Sequence, residues 1–156
     1  MEYTTIQPTE IVDQVLAQKI DQADQQALGY RIDTGACEFC EQVREIAGDP
    51  PDPDLTEQKT KNEERAAEEV ARVTDLGERL VDPPADLRAQ LDTARRDWLR
   101  NFISQVEAEH VQHQALIDNA DVLNIPADQV TSSQIAQLVI EGARDAAVAE
   151  LNTLGG

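Results

Sequence analysis

The chain has 156 residues and a formal charge of −18, from 31 Asp and Glu against 13 Lys and Arg. That length admits one domain, or one domain with an extended arm. The acidity, with no basic stripe carrying interleaved aromatics, argues against direct sequence-specific nucleic-acid binding, and no apolar run of about eighteen residues is available to cross a membrane. Aromatics make up only 3% of the residues, so the core reads as thin and aliphatic and as one that gains from oligomerisation.

In chain order, Met1 to Pro8 reads as a short polar lead and Thr9 as a helix N-cap. Val12, Leu16, Ile20, Ala23 and Ala27 then share one helical face, with Asp13, Gln14, Asp21, Asp24 and Gln25 outside. Gly29 is expected to end this helix. The short run Tyr30–Asp33 fits an extended segment, and Asp33-Thr34-Gly35-Ala36 has the chemistry of a turn. Cys37-Glu38-Phe39-Cys40 follows, then a short helix over Glu41–Ala47 that Gly48 stops. Asp49-Pro50-Pro51-Asp52-Pro53 is an extended connector, because proline at this density excludes both helix and central strand.

Asp54 with Glu57 three residues later resembles a capping box. It opens a helix to about Leu80. The first half, Glu57 to Arg65, is polar all round and is expected to project into solvent or meet a partner. The second half packs through Ala66, Val70, Val73, Leu76 and Leu80.

Asp82-Pro83-Pro84 reads as the start of the longest helix, which runs to Asn119. Its inward face is Leu87, Leu91, Ala94, Trp98, Phe102 and Val106. An adjacent row holds Leu99, Ile103, His110, His113 and Ile117, and Arg88, Asp92, Arg95, Arg96 and Arg100 form the polar face. At 1.5 Å per residue, Ala85 to Asn119 makes a rod of about 50 Å, the expected spine of the molecule. Asp121–Ser132 is expected to be a loop burying Val122, Leu123, Ile125 and Val130. Ser132 or Ser133 should cap a last helix through Leu154, with Ile135, Leu138, Val139, Ala143, Ala146 and Leu151 facing in.

The expectation is therefore an all-α fold, an elongated helical bundle of four to five helices around one long helix. Residues 1–48 form an N-terminal helical segment with the C-x2-C turn, 49–55 the Pro/Asp-rich connector and 56–156 the bundle, with 1–48 and 56–156 in one domain.

The two cysteines, Cys37 and Cys40, form C-x2-C, and the two histidines, His110 and His113, form H-x2-H. Two thiolates and two imidazoles are the ligand set of a tetrahedral structural zinc site. Closure of that site needs the fold to bring the pairs together. A disulfide and a pair of free buried thiols are the alternatives; a thioredoxin-like redox motif needs a βαβ context that the pattern lacks. Glu107-x-x-His110 echoes the element of ferritin-like di-iron bundles, but no second copy is present. Acidic pairs such as Glu63/Glu64 and Glu68/Glu69 read as solvated surface. No nucleophile elbow, P-loop or dinucleotide glycine motif appears, so the expectation is a non-enzyme.

The composition, acidic, lysine-poor and alanine-rich, resembles that of proteins from halophilic archaea and their viruses. The opening Met1-Glu2-Tyr3-Thr4-Thr5-Ile6, leading into Ile11-Val12-Asp13, resembles the start of head–tail adaptor proteins of tailed viruses. Asp33-Thr34-Gly35-Ala36-Cys37-Glu38-Phe39-Cys40 resembles the Asp-x-x-Cys-Pro-x-Cys segment of phage minor head proteins, with Glu38 where that family has proline. The resemblance implies a small helical virion component that forms rings or lattices, with itself and other virion proteins as partners. It implies residence in the virion or host cytoplasm; no secretory signal is present. The competing expectations are a cytoplasmic zinc-binding interaction module of a halophilic archaeon and a di-iron protein.

Overall fold

Pro8 already lies inside the first helix, α1 (Pro8–Ile46), so Thr9 is not its cap. A computed structural model describes residues 8–155; of the expected lead Met1–Pro8, all but Pro8 lies outside the described residues. Three further helices follow, α2 (Pro53–Glu78), α3 (Leu87–Asp118) and α4 (Ala127–Thr153), with no strand among the described residues. The fold is all-helical, as the periodicity predicts.

The main departure is α1. Neither Gly29 nor the Asp33–Ala36 sequence breaks it, and at 1.5 Å per residue its 39 residues span about 58 Å. It, and not α3, is the longest helix. Thr34 satisfies its turn-prone hydroxyl inside the helix, donating to the Tyr30 carbonyl at 2.9 Å. Gly35 lies where α4 crosses: a β-carbon there would stand 2.5 Å from that of Ala146. Gly142 answers from α4, where a β-carbon would stand 2.8 Å from that of Phe39. Each glycine costs helix propensity of about 1 kcal/mol. Close backbone approach and the burial of Ile20, Ala27, Leu28, Ile32 and Ala36 offset it.

Gly48 ends α1 as expected. At φ 78° it takes the left-handed conformation, and its N–H reaches the Glu45 carbonyl while that of Asp49 reaches Arg44. This is a Schellman ending. The prolines then hold the connector extended until Asp52, whose carboxylate accepts from the Asp54 N–H at 3.0 Å. Asp52 is thus the cap of α2 and Pro53 its first residue, in place of the expected Asp54–Glu57 box.

The polar first half of α2 does not project into solvent. Asn62 is buried, Lys59 lies 3.6 Å from both Glu38 and Glu41, and Arg65 sits over the Tyr30 ring. Its partner is α1, which it meets through charge and aliphatic stems.

Asp82-Pro83-Pro84 does not start α3. The Asp82 and Val81 N–H groups both donate to the buried Asp13 carboxylate, at 2.8 and 2.9 Å, which ties the α2–α3 connector to α1. Helix geometry begins only at Leu87. After α3, Asn124 takes the left-handed conformation and α4 starts at Ala127, well before Ser132. The hydroxyls of Thr131 and Ser132 bond carbonyls of the preceding turn instead of capping.

α1 packs along α2 on one side and along α4 on the other, and α3 lies along α4 with a short contact to α1. α1 runs antiparallel to α4 through Arg31–Glu150 and Gly35–Ala146, and to α2 through Tyr30–Arg65 and Glu41–Lys59, while α3 runs antiparallel to α4 through His110–Glu141 and Gln114–Gln137. One core joins Leu28, Ile32 and Ala36 to Leu99, Ala143 and Ala147, with the stacked pair Trp98 and Phe102 beside it. A second gathers Ile20, Leu76 and Leu91 with Leu16, Val73 and Leu87. α1 supplies residues to both.

Candidate functional site

Because α1 continues through the segment expected to turn, Cys37 and Cys40 occupy adjacent turns of one straight helix. Both are free thiols, Cys37 buried and Cys40 half-buried. They border a cavity of about 210 Å³ between α2 and α4, with Asp33, Leu55, Gln58 and Val139 among its walls. Burial first, then the nearby Cys40, Asp33 and Glu41, pushes the Cys37 thiol above its usual range, with Lys59 opposing. Burial alone raises Cys40. The inner edge of Asp33 is buried enough to raise its carboxyl, although the residue's outer edge is exposed.

The histidines sit elsewhere. His110 Nε2 lies 3.0 Å from Glu141 Oε1, and Gln137 of α4 bonds Gln114 of α3 beside it at 2.9 Å. His113, one turn on, is half-buried. On α4, Gln137 and Glu141 share the side that faces α3, whereas Val139 and Gly142 face α1. The body of α4 therefore stands between the thiols and the imidazoles. Among the described residues, no group of three or more His, Cys, Asp and Glu side chains is placed to hold a metal. Cys37, Cys40, His110 and His113 are two separate pairs here. Glu107 is exposed and separate from Glu141, the carboxylate that His110 meets.

Two structural carboxylates lie inside the bundle although the helical pattern puts them on polar faces. Asp24 and Arg95, both assigned to polar faces, form a bidentate ion pair between α1 and α3 with side chains 6% and 14% exposed. The hydrogen bonds that Arg95 donates to the Asp24 carboxylate push the guanidinium pKa up. Asp13, also assigned outside, is the buried clamp on Val81 and Asp82. The available signal was an acid at helical spacing from apolar neighbours: Asp13 and Asp24 flank the Ile20 stripe. Arg96 likewise turns inward and donates to the Leu154 carbonyl, closing the C-terminal end of α4.

The other outstanding feature is apolar. Ile135, Val139, Gly142 and Ala146 form one stripe on α4. Gly142 and Ala146 meet α1, but Val139 is 45% and Ile135 57% exposed. From the close approach of Ala36 to Gly142, the antiparallel register brings the end of α1 level with Ile135, so the stripe stays exposed at Ile135 and Val139 although α1 runs alongside it. In the adjoining α3–α4 connector, Val122 and Leu123, expected to be buried, are 80% and 59% exposed. Ile46, at the end of α1, is exposed as well. No helix among the described residues is long and apolar enough to cross a membrane. No protein-family model matches the chain, no curated protein matches it, and no solved structure matches it.

Proposed function

We propose that this chain is a non-enzymatic assembly subunit that associates with copies of itself at high ionic strength. The observation that carries the reading is the exposure of Ile135 and Val139 on the apolar stripe of α4, with Val122 and Leu123 exposed in the connector before it. On a chain of net charge −18, aliphatic side chains left exposed along one helix and its connector are what a covering partner would bury. The same charge would oppose self-association in dilute salt and permit it once screened.

The resemblance of Met1–Ile6 and Asp33–Cys40 to tailed-virus proteins suggests the form: a head–tail adaptor or minor capsid component of a halophilic archaeal virus. Light scattering or native mass measurement in multi-molar KCl tests the assembly. The wild type should exceed the 17.2 kDa of a single chain. Ile135→Glu and Leu123→Glu should return it to that mass with helical content unchanged. A wild type that stays at single-chain mass at every salt concentration overturns the proposal.

A further inference from the structure

The geometry points to a second capability: we infer that Cys37 and Cys40 form a two-thiolate site for a soft monovalent metal ion, of the copper(I) class. Both thiols are free, both border the same cavity, and the helix holds them on one side of α1. Side chains three apart on a helix carry β-carbons about 5–6 Å apart. A disulfide needs them at roughly 3.5–4.5 Å, so it does not close here without unwinding α1. A bridging metal has the longer reach: two metal–sulfur bonds of about 2.3 Å span roughly 4.6 Å between sulfurs.

The surroundings select the metal. Tetrahedral zinc and the hard cations require three or more protein ligands, and no such group is placed among the described residues. A two-coordinate ion needs only the pair. Soft thiolates favour copper(I), whereas the Asp33 carboxylate and the Gln58 amide are oxygen donors it ignores. Ala36, Leu55 and Val139 make much of the remaining wall apolar, which suits an ion that keeps no water. Lys59, shared with Glu38 and Glu41, is the cation within Coulombic reach of Cys37, and it works against the nearby Asp33 and Glu41 carboxylates.

Binding breaks two S–H bonds, forms two S–Cu bonds and releases two protons to solvent. Copper enters and remains as copper(I), so no oxidant or reductant is consumed.

The test is an anaerobic titration of the reduced full-length chain with copper(I), in competition with a chromophoric copper(I) chelator. The wild type should hold one copper per chain, and X-ray absorption should find two sulfur neighbours and no nitrogen. Cys37→Ser and Cys40→Ser should each lose the copper to the chelator. Cys40→Ser alters only a half-buried position, so circular dichroism on that variant separates lost binding from lost fold. His110→Ala and His113→Ala should retain copper like the wild type. Surrender of copper by the wild type, its retention by folded Cys40→Ser, or its loss in a histidine variant overturns the inference.

Discussion

Arg95 and Asp24 carry the largest single-residue stake. Removing one member of a buried ion pair strands the other charge, which costs about 3–5 kcal/mol. Arg95→Met should therefore lower stability by about that much in chemical denaturation, and Asp24→Asn added to it should restore part of the loss. Asp33 behaves in the opposite sense. Its carboxyl is raised in the folded chain by burial, so between its unfolded and folded pKa values the native state binds the extra proton. Stability from this group is greatest below the unfolded value and falls as pH rises through the folded one. Asp33→Asn should raise Tm at pH 7 and leave it unchanged at pH 3, as thermal scans at the two pH values would show. The charge of these residues is legible in sequence, but their placement is not. A helical wheel puts Asp13, Asp24 and Arg95 beside water unless another helix is known to cross there, and the crossing is a tertiary fact. The cysteine and histidine pairs present the same difficulty: matching ligand types say nothing of the α4 backbone standing between them.

At the scale of elements, glycine carries two meanings in α1 that sequence alone does not separate. A β-carbon at Gly29 meets nothing within 4 Å, whereas at Gly35 it would collide with Ala146. Gly29→Ala should accordingly stabilise by up to about 1 kcal/mol through helix propensity. Gly35→Ala and Gly142→Ala should destabilise by about 1–3 kcal/mol through overpacking, measured by urea unfolding. The periodic apolar rows of Leu91, Leu99 and Val106 on α3, and of Ile20, Ala23 and Ala27 on α1, were readable because a packed helix repeats its pattern over several turns. The boundaries were less so. Asp82-Pro83-Pro84 has the composition of a helix start, yet Asp13 captures its N–H groups. Asp33-Thr34-Gly35-Ala36 has the composition of a turn, yet packing against α4 keeps it helical. In both places a contact distant in sequence overrides a sound local preference.

For the molecule as a whole, a net charge of −18 couples stability to salt. Molar salt shortens the screening length to about 3 Å and removes most repulsion among 31 acids. Tm should climb steeply as KCl rises from dilute to molar concentrations, and a chain equally stable in dilute buffer would show that its acidity is incidental to folding. The order of the helices, with α1 between α2 and α4, was not available from periodicity, because the expected spine was α3 and the expected break lay within α1. That unbroken α1 has a mechanical consequence. It enters the Ile20 cluster at one end and the Leu28–Ile32–Ala36 cluster at the other. A helix is stiff over this length, so neither cluster can loosen without straining the register of its neighbour. The two should melt as one event, with calorimetric and van't Hoff enthalpies in agreement. A flexible link between Ile20 and Leu28 would instead have let each cluster unfold alone.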